Sequence, residues 1–170
     1  MNLRAISISA LLLLMIFLMY NILGVGTTIL IFAIIFLAWA VLLSIKPEYY
    51  DKFLSFMNPG LYCVYKEKGT DFIRKKRRID IIGYYIISVV TGLNAFMQIK
   101  LRDKFDISSS FSLIEILPFA IVVVVVIFII NYICILIAKK SKTADEDLTW
   151  NIIVGIIFAI ILIGFISLIF

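Results

Sequence analysis

The sequence predicts an all-α membrane protein, built as one bundle of about five transmembrane helices. Of its 170 residues, 64% are hydrophobic and the mean hydropathy is +1.14, whereas soluble domains are about 45–50% apolar. Charged residues make up only 16% of the chain and stand between apolar runs, most of which are about as long as the ~20 residues that cross a bilayer. Because backbone polar groups in hydrocarbon must be bonded internally, these runs are expected to be helical.

The first apolar run covers residues 5–45, about twice the length of one span. The stretch NILGVGTT, residues 21–28, contains two glycines and favours a turn, so we predict spans at about 5–23 and 27–45. A cleaved secretory signal is the alternative for the first segment, since Arg4 precedes the run. The run is longer than the usual signal core of about 7–15 residues, and no A-x-A-like site follows it.

A predicted cytoplasmic loop, residues 46–80, follows Pro47. Within 47–80, Tyr49, Phe53 and Phe56 recur at helical spacing opposite charged residues, which predicts a short interfacial helix. The loop ends in five consecutive basic residues: Arg74, Lys75, Lys76, Arg77 and Arg78. We expect them to contact anionic lipid headgroups and to fix the topology. Docking of an acidic cytosolic partner is an alternative, while the lack of a folded module to present them disfavours nucleic acid.

Three further spans are predicted at about 81–99, 114–138 and 150–170, so that residues 1–170 form a single membrane domain. Thirteen of the sixteen Lys and Arg residues fall on the side of the 46–80 loop, and the other three lie in the 100–112 loop. Positive charge marks the cytoplasmic side. The N-terminus is therefore predicted in the cytoplasm and the C-terminus outside, in a plasma membrane.

One face of the third predicted span is polar. At 100° per residue, a single arc collects five hydrogen-bonding side chains: Tyr84, Ser88, Thr91, Asn94 and Gln98. Such a face should contact protein or water, because unpaired amides in hydrocarbon are costly. Two interpretations of this polar face are open: its side chains hydrogen-bond to neighbouring helices or to a partner protein, or they line a substrate path or a recognition groove. Asn131, alone inside the fourth predicted span, is expected to make a helix–helix contact.

Catalytic patterns are missing from the sequence. The chain contains no histidine, no carboxylate pair within a span, no phosphate-binding glycine loop and no metal-ligand spacing. We therefore predict no catalytic, cofactor or metal site, and not an enzyme. The two cysteines fall in different parts of the predicted topology and suggest no disulfide.

These features favour a small protein that acts by binding, either as an accessory subunit of a transport or secretion complex or as an immunity-type protein against a membrane-active peptide. The expected partners are membrane lipids with anionic headgroups, together with another membrane protein or a second copy of the chain, and not nucleic acid. The alternative is a small oligomeric transporter or channel lined by the polar face. A membrane enzyme acting on lipid ranks third.

Overall fold

The computed structural model describes residues 3–105 and 113–169, and these residues form seven helices with no strand among them. The predicted all-α class is confirmed for this part of the chain. The helices are α1 (Leu3–Leu23), α2 (Val25–Ile45), α3 (Glu48–Met57), α4 (Pro59–Glu67), α5 (Thr70–Phe105), α6 (Leu113–Lys140) and α7 (Ala144–Ile169). The predicted 100–112 loop lies partly outside the described residues, since these omit 106–112.

Gly24 alone separates α1 from α2, inside the stretch where the sequence predicted a turn. Its φ of 79° is in the left-handed region, which glycine adopts without steric cost. The backbone N–H of Gly24 donates to the Tyr20 carbonyl at 2.9 Å, and the Thr28 hydroxyl donates to the Gly24 carbonyl at 2.8 Å. One residue is therefore enough to end the first helix and begin the next.

The most extensive contact between helices is made by α2 and α5, which run antiparallel. Gly26 lies against Ile99, Ala33 contacts Ser88, and the Ser44 hydroxyl lies 3.1 Å from the Tyr85 hydroxyl. On α2, small residues recur every seven positions, at 26, 33 and 40, and all three are buried. This spacing keeps one face of α2 on its neighbour, as small-residue interfaces of membrane helices require.

The 46–80 region is more helical than the sequence indicated. Instead of one short helix it contains α3 and α4, separated at Asn58. The Asn58 side chain accepts a hydrogen bond from the Leu61 N–H at 3.2 Å, and Pro59 occupies the first turn of α4, where a missing N–H is tolerated. The Asn58 side chain also donates to the side chain of Asn131 on α6, so the contact of Asn131 is with the residue between α3 and α4 and not, as the sequence predicted, with a second helix.

Two helices begin more than two residues before the predicted spans. α5 starts at Thr70, so the basic stretch is helical and precedes the apolar residues without a break. α7 starts at Ala144, where the Glu146 N–H donates to the Thr143 hydroxyl at 3.2 Å and the Glu146 carboxylate accepts from the Lys142 N–H at 2.7 Å. These two hydrogen bonds and an acidic first turn stabilise the start of the helix.

Two stretches of the described helices are long and apolar enough to cross a membrane: Val25–Ile45, with a mean hydropathy of 2.8, and Thr70–Leu101, with 1.5. Only 22% and 11% of their apolar windows are buried, whereas a core helix of a soluble protein is mostly buried. Length and composition therefore favour membrane association. A bundle of five spans goes beyond this finding and stays a prediction.

Candidate functional site

The basic stretch at the start of α5 directs its side chains toward different helices. Lys75 pairs with Asp145 at 2.5 Å, Lys76 with Asp147 at 2.9 Å, and Arg77 with Asp51 at 2.6 Å. Consecutive residues on a helix point about 100° apart. Three neighbouring cations can therefore contact α7 and α3 at once, so this stretch holds α3 and the start of α7 against α5.

Lys76 is the centre of the arrangement, which we call the Lys76 cluster: Tyr50, Tyr65, Lys76, Asp80 and Asp147. The Lys76 ammonium lies 2.9 Å from Asp147 and 3.3 Å from Asp80. The Lys76 side chain is 8% exposed and that of Asp147 is 0% exposed. One cation between two carboxylates leaves an excess negative charge, which calls for further hydrogen-bond donors.

Two tyrosines supply those donors. The Tyr50 hydroxyl donates to Asp80 at 2.5 Å, and the Tyr65 hydroxyl donates to Asp147 at 3.3 Å. Burial, and then the adjacent carboxylates, raise the pKa of both tyrosines above the ordinary value of 10.0. Both hydroxyls therefore keep their protons at neutral pH. The Lys76 ammonium also lies 5.8 Å from the centre of the Tyr65 ring, within range of a cation–π contact.

A small apolar core borders the cluster where α4, α5, α6 and α7 meet. It comprises Val64, Tyr65, Phe72, Ala138 and Ala144. Because water is excluded there, the ion pairs act at a lower effective dielectric than surface pairs do, and they are correspondingly sensitive to the loss of one partner. Among the described residues, one oxygen of Asp147 and the Nε of Arg77 are buried without a hydrogen-bond partner.

The structure separates the five predicted headgroup contacts into two groups. Lys76 and Arg77 face carboxylates of the chain itself, and their side chains are largely covered. Arg74, Lys75 and Arg78 are exposed. Headgroup contact remains a prediction, and exposure makes these three the residues available for it. Sequence reasoning missed the carboxylate partners, because the acidic run at 145–147 gives no sign in the sequence that it packs against the basic run.

The predicted polar face of α5 is divided along its length. Ser88 is buried and donates to the Ala33 carbonyl at 2.8 Å, while Tyr84 and Thr91 are partly buried. Asn94 and Gln98 are exposed. The Ser88 end therefore packs against α2, and the two amides form an open edge beside this interface. We call Asn94 and Gln98 the amide edge.

Comparisons with known proteins add no constraint on these two features, the Lys76 cluster and the amide edge. In comparisons with protein-family models, curated proteins and solved structures, nothing matches the chain.

Proposed function

We propose that the chain is a multi-pass membrane protein that acts by binding another membrane protein through the amide edge of α5. The observation that carries this proposal is the position of Asn94 and Gln98. Both are exposed on a helix whose other exposed residues include Ile86, Val90 and Leu93. An amide that faces hydrocarbon without a partner is costly, so a helix of another protein that supplies hydrogen bonds would be stabilised there.

The membrane placement is supported by the large number of exposed apolar side chains on α2, α5, α6 and α7. Exposed hydrophobic surface of this extent is unfavourable in water and suits contact with acyl chains. We keep the orientation that the distribution of positive charge favours: five spans, the N-terminus in the cytoplasm and the C-terminus outside. The Lys76 cluster then lies at the cytoplasmic boundary.

A binding role is favoured over the transporter or channel that the sequence left open. A path lined by the polar face would need Ser88 and its neighbours to face water. Ser88 instead donates to Ala33, and Ala95 is completely buried. The part of the face that remains accessible is a narrow edge, which suits a helix–helix contact. An accessory subunit and an immunity-type protein would both use such a contact.

Site-directed photo-crosslinking in the membranes of the native host tests the proposal. In one variant a photoreactive amino acid replaces Ile87, which lies seven positions before Asn94 on the same side of α5. In a second variant it replaces Val89, on the opposite side; both positions are exposed. We expect a discrete protein product from position 87 and only lipid adducts from position 89. The mass of the product distinguishes a second copy from a different protein.

The same crosslinking experiment, with the photoreactive amino acid at position 87, tests the two amides themselves. Asn94→Leu with Gln98→Leu should reduce the product from position 87 by about tenfold, since two interhelical hydrogen bonds contribute roughly 1–2 kcal/mol together. Replacing Leu93 and Met97 by Ala, also exposed but away from the edge, is the matched control. Equal products from positions 87 and 89, or a product that survives the loss of both amides, would contradict the proposal.

A further inference from the structure

A groove of about 300 Å³ lies between the end of α6 and the first two turns of α7. Its walls are apolar along α6, where Ile133, Leu136 and Ile137 share one face by their spacing. Its charged residues, Lys140 and Glu146, are at one end. The groove therefore has an apolar half and a zwitterionic half, separated along the helix axis.

In the proposed topology, the line from the apolar end of the groove to its charged end runs along the membrane normal. Ile133 and Lys140 are seven residues apart, or roughly 10 Å along the helix. Trp150 lies on the rim and is 51% exposed. Tryptophan is enriched at the boundary between headgroups and acyl chains, which places the charged half among headgroups and the apolar half in hydrocarbon.

We infer that this groove binds one phospholipid whose headgroup carries both a phosphate and a primary ammonium. Lys140 would pair with the phosphate and Glu146 with the ammonium. The part of one acyl chain nearest the headgroup would lie along Ile133 and Leu136. The inference rests on the membrane placement proposed above. It adds a lipid class and a site that are independent of the amide edge.

The charges that line the groove select this occupant. A purely anionic headgroup would meet the Glu146 carboxylate, which is repulsive. One carboxylate oxygen of Glu146 accepts from the Lys142 N–H, which leaves the other oxygen for a ligand donor, and a primary ammonium can donate where a quaternary one cannot.

Tryptophan quenching tests the inference directly. The chain has two tryptophans, so Trp39→Phe leaves Trp150 as the sole reporter. The purified variant is reconstituted in quaternary-ammonium phospholipid with a minor fraction of lipid brominated on its acyl chains. Three brominated headgroups are compared: primary ammonium, quaternary ammonium and anionic glycerol. We expect the primary-ammonium lipid to quench Trp150 at a two- to fivefold lower mole fraction than the others, about what one exposed ion pair contributes.

Two substitutions in the groove and one control outside it test whether the headgroup preference arises there. Glu146→Gln should abolish the preference while keeping the helix cap, because glutamine serves at this capping position too. Lys140→Gln should weaken quenching by all three lipids, and Lys139→Gln, an exposed neighbour that does not line the groove, should change nothing. Equal quenching by the three headgroups, or a preference that survives Glu146→Gln, would overturn the lipid site alone. A protein that fails to float with the vesicles would overturn the membrane placement as well.

Discussion

Lys76 links parts of the chain that are distant in sequence. It bridges Asp80 on its own helix and Asp147 on α7, and these carboxylates hold Tyr50 on α3 and Tyr65 on α4. A buried ion pair does not guarantee stability, because both charges lose their hydration. Its effect is conditional: each charge is tolerated only while its partner is present. The four helices are therefore tied to one arrangement of charges.

Removing the central cation should be strongly destabilising. Lys76→Met keeps a long side chain but leaves Asp147 buried without its counter-charge, and we expect a loss of ~3–5 kcal/mol in unfolding free energy. Lys75→Met is the matched control, since the Lys75–Asp145 pair is exposed and should contribute about 0–1 kcal/mol. Thermal unfolding in mild detergent, followed by circular dichroism, measures both.

A second substitution separates charge from packing. If the cost of Lys76→Met arises from the uncompensated carboxylate, adding Asp147→Asn should recover a large part of it. Equal stability losses in Lys75→Met and Lys76→Met would contradict the central role of Lys76.

The cations of this site could be read from the sequence, but their partners could not. Five adjacent basic residues next to an apolar run suggest lipid contact and topology, because nothing local offers a counter-charge to most of them. The partners Asp51 and Asp147 are 26 and 71 positions away from Arg77 and Lys76. Only the packing of α3 and α7 on α5 brings them within 3 Å, and periodicity along one segment contains no information about that packing.

At the scale of the helices, α5 combines two functions in one element. Its first ten residues carry the charges that bind α3 and α7, and the stretch 81–99 is mostly apolar with one face on α2. At 36 residues it is roughly 54 Å long, well beyond the ~30 Å hydrocarbon core. Hydropathy placed the start of the predicted span at about residue 81 and gave no sign that the helix begins at Thr70, because charged residues end an apolar run without ending a helix. The pairs Arg74–Asp71 and Lys76–Asp80, three and four residues apart, support helix there.

The close approach of α2 and α5 depends on Gly26. A Cβ at this position would lie 2.6 Å from the Ile99 side chain and 3.0 Å from the Ile99 backbone nitrogen. Gly26→Ala should therefore push the helices apart and cost about 1–3 kcal/mol, as overpacking does. Gly83→Ala on α5, where an added Cβ meets nothing within 4 Å, should instead stabilise by ~0.5–1 kcal/mol through helix propensity.

Unfolding in mild detergent distinguishes the two glycines. Adding Ile99→Ala to the Gly26→Ala protein should recover only part of the lost stability, because the close contact with the Ile99 backbone nitrogen remains. A Gly26→Ala protein as stable as the Gly83→Ala protein would show that α2 and α5 do not pack this closely.

At the scale of the whole molecule, charge and apolar surface are segregated. The Lys76 cluster, the basic stretch and the charged half of the α6–α7 groove lie toward the start of α5, while exposed isoleucines, valines and leucines cover the apolar stretches of the long helices. Composition and hydropathy were sufficient to predict the helical class, since both are properties of single segments. The Lys76 cluster, the amide edge and the groove depend on which helices are neighbours, so they required the structure.

Both proposals depend on α5 crossing the membrane, with the Lys76 cluster at one boundary and the amide edge inside the span. Arg78 and Lys100 are both exposed and are 22 residues apart, roughly 33 Å along a helix, which matches the thickness of the hydrocarbon core. Single cysteines at these positions, in a chain carrying Cys63→Ser and Cys134→Ser, report which side of the membrane each end occupies.

Labelling with a membrane-impermeant maleimide is the most direct test. In intact cells, the Lys100→Cys protein should be labelled from outside, and the Arg78→Cys protein should be labelled only after the membrane is permeabilised. Labelling of both cysteines from the same side would contradict a membrane-crossing α5, and with it the binding role assigned to Asn94 and Gln98.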